Sequence, residues 1–206
     1  RIAASARRAG VSVIWVRMTA WRDAESTSYP AFYRYIATGA FGERLLDSLL
    51  DGAEGHEPAK ALDVQAQDLH LNKTRFSAFF PGSSDIDAVL RARGIDTVIF
   101  VGTLTNRCCE TSAMDAMNLG YRVIFAEDAT AAVTDAEHLA ALGNVATAIG
   151  DLRTTAQILE LLEAGTVSAL PGPAACRDQS RPTRHAPRET RQTSRAGPGA
   201  SRSARS

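Results

Sequence analysis

The chain has 206 residues, 23 Lys+Arg against 23 Asp+Glu, 45% apolar residues and three cysteines. That length suits one domain with a sizeable core, and the cysteine count excludes a disulfide framework. No apolar stretch approaches the roughly 20 residues needed to span a bilayer, so neither a membrane span nor a membrane partner is expected.

The zero net charge hides an asymmetry. Residues 1–170 hold 15 basic against 21 acidic side chains, while residues 171–206 hold eight arginines against Asp178 and Glu189. An acidic body argues against a nucleic-acid binder. The last segment has no aromatic residue and no Leu, Ile or Val after Leu170, so little apolar surface offsets the entropy of ordering. The expected organisation is a domain over 1–165 and a disordered basic tail over 166–206, with a reducing cytoplasm as the compartment.

In chain order, residues 2–9 read as a helix stopped at Gly10, and "VSVIWVR" (11–17) as a strand buried on both faces. Residues 18–41 mix aromatics and turn formers without a period, as in a long loop lining a site. A helix over 42–50 puts Leu45, Leu46, Leu49 and Leu50 on one face. "AQDLHLNKTRFSAFFPG" (66–82) reads as a short strand running into a loop. Ser84 and Asp87 have the spacing of a capping box for a helix that Gly94 ends. "DTVIFVG" (96–102) is the clearest strand; a helix over about 108–119 and a strand "YRVIFAED" (121–128) follow. Thr134 and Glu137 form a second capping box, opening a helix to about 148, and a short segment near 150–153 precedes a last helix to about 164. Strands alternating with helices at this pitch predict a parallel sheet covered on both faces.

In such a sheet, ligands collect outside the carboxyl ends of the strands. "GTLTNRCCETSAMDA" (102–116) lies there, with two adjacent cysteines where a strand gives way to a helix. Free N–H groups and the positive end of a helix dipole favour a thiolate at Cys108, while Cys109, about 100° further round, packs with Ala113, Ala116 and Met117. On chemistry alone Cys108 remains open between nucleophile and core residue. A nucleophilic thiol needs a cation or base. The chain has two lysines: Lys60 lies in a polar stretch and is expected to face solvent, whereas Lys73 ends a strand at the same sheet edge as Cys108.

"GTLTNRCCETSAMDAMNLGYRVIFAEDATAAVTD" resembles the signature of the isochorismatase-like cysteine hydrolases, and "NKTRFSAFF" is similar to their lysine segment. The likeness runs from about residue 1 to 164 and implies the Rossmann-type three-layer fold of that family. It implies an Asp, Lys and Cys triad, with Cys108 as nucleophile and Lys73 as the lysine. It further implies a cis peptide between Leu104 and Thr105, with the Thr105 and Cys108 N–H groups as oxyanion hole.

Two departures stand out. Arg107 occupies a position that is commonly apolar in the family and bears on the pocket or an interface. The family's aspartate ends a central strand, next to the strand at 96–102, that would precede Arg1. This chain has no such segment, and neither Asp23 nor Asp68 occupies that strand end. The expectation is a sheet lacking its first central strand and a chain inactive by itself.

The implied reaction is cleavage of a C–N bond in a small amide or carbamoyl compound through a thioester, with "TN-x-C-x-E" most like the ureidoacrylate amidohydrolase branch. The alternatives are a vinyl-ether hydrolase of the isochorismatase type and a non-catalytic binding protein or subunit. Trp15, Trp21, Phe76, Phe79 and Phe80 are candidate pocket walls. No cofactor is implied. His56, His70, His138 and His185 are too dispersed for the zinc site of nicotinamidase-like relatives, so no metal is expected. The resemblance also implies a homo-oligomer.

Overall fold

The computed structural model describes residues 1–22, 32 and 35–165. They fall within one unit, Arg1–Ala175; Cys176–Ser206 form another, outside the described residues together with the rest of the expected tail. The elements are α1 (Ile2–Arg8), β1 (Ile14–Met18), α2 (Gly39–Ser48), β2 (Leu69–Lys73), α3 (Ile86–Ala92), β3 (Thr97–Thr103), α4 (Glu110–Asn118), β4 (Arg122–Ala131), α5 (Asp135–Asn144), β5 (Asp151–Arg153) and α6 (Thr155–Glu163). Much of the expected loop at 18–41 lies outside the described residues.

All pairing is parallel. β1 pairs with β2 from Ile14↔Leu69 to Met18↔Lys73, and β3, β4 and β5 form a second, three-stranded sheet. Side chains alternate across the strands, so Val98, Phe100, Val123 and Phe125 enter one apolar layer while Ile99, Ile124 and Ala126 enter the other. The first layer is closed by Ile86 and Leu90 of α3 and by Ala113 and Ala116 of α4. The second is closed by Ala6 of α1 and by Ile158 and Leu162 of α6. Phe125 and Ile158 are fully buried, each stabilising the fold by about 1.5–3 kcal/mol relative to exposure.

The two-stranded sheet and the segment ahead of it feed the same two layers. Ile14, Val16 and Leu71 pack on the first, while Val11 and Val13, in the segment leading into β1, pack on the second. β2 carries exposed His70 and Asn72 on one face and the half-buried Leu69 and Leu71 with buried Lys73 on the other. Among the described residues the two sheets do not pair with each other, and both contribute to the first hydrophobic layer.

Several local expectations change. Ser84 and Asp87 form no capping box on α3; the N-cap is Asp85, Ser84 Oγ accepts from the Ile86 N–H and donates to the Ala78 carbonyl, and Asp87 accepts from Arg91 and Tyr121. Competing partners of those side chains displace the box. The Thr134/Glu137 box on α5 does form, and a further one, Thr154/Gln157, opens α6. The helix expected from 108 begins earlier, with a turn of π-helix over Thr105–Cys109; another π turn, Val145–Ile149, ends the helix expected to reach 148.

Candidate active site

Three pieces converge at the carboxyl ends of the strands. β2 ends on Lys73, whose side chain lies on the inner face with Leu69 and Leu71. β1 ends alongside it on Met18. β3 runs to Gly102, whose φ of +110° is open to glycine and strained for other residues; the register with β4 shifts there, between Phe100 and Gly102. The chain then enters the π turn that carries Cys108. The Leu104 carbonyl closes that turn by accepting from the N–H groups of Arg107 and Cys109.

Lys73 is 4% exposed, and its ammonium lies 3.1 Å from the sulfur of Cys108. Its other partners are the Arg75 carbonyl at 2.8 Å and Met18 Sδ at 3.5 Å. Among the described residues it has no carboxylate partner. The buried ammonium is thus matched, among the described residues, by a carbonyl and two sulfurs, the nearer of which is the Cys108 thiol. Cys108 is half-buried and accessible, whereas Cys109 is buried, and burial pushes its thiol up to about 12. The two adjacent sulfurs thus sit in different surroundings, one beside Lys73 and the other in the core.

The cis peptide bond joins Thr103 to Leu104, one bond earlier than the expected Leu104–Thr105. Leu104 is extended and Thr105 fully buried at the start of the turn. The Thr105 hydroxyl meets Nδ1 of His138 on α5 at 2.9 Å, a contact between elements 33 residues apart that no local pattern announces.

The aromatic candidates separate. Phe76 lies in the loop that Lys73 opens and meets Phe32 edge to face, ring centroids 5.3 Å apart. Phe79 is a core residue instead, packed against Phe100 and Tyr121, and Phe80 is half-exposed. Trp15 belongs to the opposite end of the strands: its indole N–H donates to Asp68 at 2.8 Å. Trp21 is exposed. Lys60 faces solvent, paired with Glu54.

Asp68 itself is held at the start of β2. Arg7 of α1 donates to both its oxygens, at 2.8 and 2.6 Å, and the Gln65 N–H adds a bond at 2.9 Å. These donors, Arg7 foremost, hold the Asp68 carboxyl well below the usual carboxylate range. This carboxylate is spoken for and does not serve Lys73; Asp23 lies outside the described residues. No group of three or more His, Cys, Asp or Glu among the described residues is arranged to hold a metal. None of the described helices is long and apolar enough to cross a membrane.

Residues 1–157 match the family model of the isochorismatase domain. The chain is 38% identical over 159 residues to the ureidoacrylate amidohydrolase RutB of Caulobacter vibrioides, covering 73% of this chain and 69% of that one. It is 38% identical over 120 residues to the uncharacterized isochorismatase family protein YwoC of Bacillus subtilis, covering 55% of this chain and 62% of YwoC. A cysteine hydrolase from Pseudomonas syringae pv. phaseolicola superposes with a TM-score of 0.64 at 30% identity, over 80% of this chain and 78% of that one. N-carbamoylsarcosine amidase from Thermoplasma acidophilum does so with a TM-score of 0.58 at 27% identity, over 74% and 78%. The chain belongs to the isochorismatase family. It spans a little under two thirds of YwoC and a little over two thirds of the Caulobacter protein.

Proposed function

We propose that this site is that of a cysteine hydrolase cleaving the C–N bond of a small amide or carbamoyl compound. The observation that carries the reading is the 3.1 Å contact between the buried Lys73 ammonium and the Cys108 sulfur. The thiolate attacks the carbonyl carbon, forming the C–S bond as the C=O electron pair moves onto oxygen. The Cys108 N–H, with the N–H groups of the Leu104–Thr105 segment, receives that oxyanion. The oxyanion collapses and expels ammonia or an amine, which takes a proton as it leaves. Water then cleaves the thioester, returning the thiol and a carboxylic or carbamic acid. Phe76 walls the substrate space.

The thiol proton needs an acceptor, and the described residues place no carboxylate beside Lys73. The reading assigns that role to a carboxylate on a strand seated between β1 and β3, each of which has one edge unpaired among the described residues. Its C-terminal end would emerge beside Met18 and Lys73. Without it the chain is expected to turn over poorly. The same observation favours a second reading, a non-catalytic member that uses this site to bind.

The test is ammonia release from a panel of ureidoacrylate-type amides. It uses the chain and a form with an Asp-terminated strand joined ahead of Arg1, each beside Cys108→Ala and Cys109→Ala. Release that appears with the added strand and is lost only with Cys108→Ala supports the hydrolase. No thiol-dependent release in either form, with saturable binding of the same amides, supports the binding protein.

A further inference from the structure

Arg107 directly precedes the nucleophile, at a Cα separation of about 3.8 Å. Its guanidinium carbon lies 5.9 Å from the centroid of the Phe32 ring, which packs edge to face on Phe76. It is half-buried and makes no ion pair among the described residues. Among the described residues Arg7, Arg17, Arg22, Arg91, Arg122 and Arg153 each pair with a carboxylate, and Arg107 belongs with the arginines that do not. A guanidinium laid on an aromatic face keeps its in-plane N–H donors free, in the fork that matches a carboxylate. Lys73 is not available for the same task, because its ammonium is committed to the Cys108 sulfur and the Arg75 carbonyl.

We propose that Arg107 is a specificity-determining residue: resting on Phe32 next to Cys108, it receives an anionic group of the substrate and selects carboxylate-bearing amides over neutral ones. This rests on the reading of Cys108 as the attacking thiol, and it adds the chemistry of the substrate's other end. The aromatic pair Phe32 and Phe76 orients the fork by fixing the plane on which it lies. Residue 107 is attached to the reacting residue, so the anion is held within a short carbon chain of the scissile carbonyl.

The experiment needs no turnover. Cys108 in the full chain is alkylated with iodoacetamide, followed by peptide mass mapping, with increasing succinamate or its neutral match succinamide. Alkylation forms the S–CH2 bond and expels iodide. Each protection constant is referred to that variant's own unprotected rate. Succinamate is expected to protect saturably, about tenfold or more tightly than succinamide, the scale of one charge-assisted contact. Arg107→Met and Arg107→Gln are expected to abolish that preference and Arg107→Lys to retain part of it.

Equal protection by the two amides in the native chain, or a preference unchanged in both Arg107→Met and Arg107→Gln, overturns the proposal. Failure of the underlying reading looks different: Cys108 would then alkylate no faster than glutathione. In that event equilibrium dialysis with labelled succinamate decides. A preference over succinamide that disappears with Arg107→Met supports the anion site, and one that persists refutes it.

Discussion

The two ends of β2 bury opposite charges and treat them differently. At the start, the Asp68 carboxylate accepts from Arg7, Trp15 and the Gln65 N–H, so its acceptor capacity is filled by groups from α1, β1 and its own loop. At the finish, the Lys73 ammonium has a carbonyl and two sulfurs and no described carboxylate. A buried charge that is fully matched fixes the fold; one left short of a counter-ion is free to stabilise an anion that comes and goes. The first ties α1 to the segment that leads into β2 and the second lies beside a thiol, five residues further along the chain.

The sharpest way to break that contrast is Lys73→Met. Removing the ammonium is expected to slow Cys108 alkylation at neutral pH by about 10–100-fold, since the sulfur loses the cation that lies 3.1 Å from it. An unchanged rate would show that the contact has no electrostatic effect. Asp68→Asn should act the other way: Tm falls by several degrees because Arg7 loses its buried charge partner and keeps only the exposed Asp63, while the Cys108 rate per folded molecule stays the same. Its pH dependence has a definite sign. A carboxyl held below its ordinary value contributes fully above about pH 4 and loses that contribution as the pH falls toward its depressed value, so thermal melts of the Asn variant should show less acid sensitivity than the native chain.

Smaller effects refine the picture. Cys109, with its thiol raised to about 12, is expected to stay unlabelled at pH 8 while Cys108 is modified, and Cys109→Ala should leave the labelling rate unaltered. Thr134→Ala removes one half of the α5 capping box and should cost about 1 kcal/mol by denaturant titration, with no effect on the thiol.

The alternation of apolar strands and helices was enough to set the parallel architecture, because strands covered on both faces read as continuous apolar runs, as residues 98–101 and 123–126 do. Cys108 and Lys73 were legible for a related reason: each sits where an apolar run stops, and in a parallel sheet such points share one edge. Other features escaped because they depend on partners distant in the chain. Trp15 reads as a pocket aromatic until Asp68, 53 residues on, takes its indole N–H. Ser84 and Asp87 have capping-box spacing, yet the Ala78 carbonyl and Arg91 claim them first. The Thr105–His138 contact and the seating of Arg107 on Phe32 likewise join segments that no local period relates. The position of the cis bond, at Thr103–Leu104, was inferred from likeness alone and fell one residue off.

The unpaired flanks of β1 and β3 also govern how the polypeptide behaves in a tube. Each offers a row of amide donors and acceptors beside apolar side chains, with Val101 about half-exposed on one of them. Such rows are templates for whatever extended backbone arrives first. Light scattering should climb with protein concentration, and a short soluble peptide of alternating β-branched residues should suppress that climb by occupying the furrow before a neighbouring molecule does.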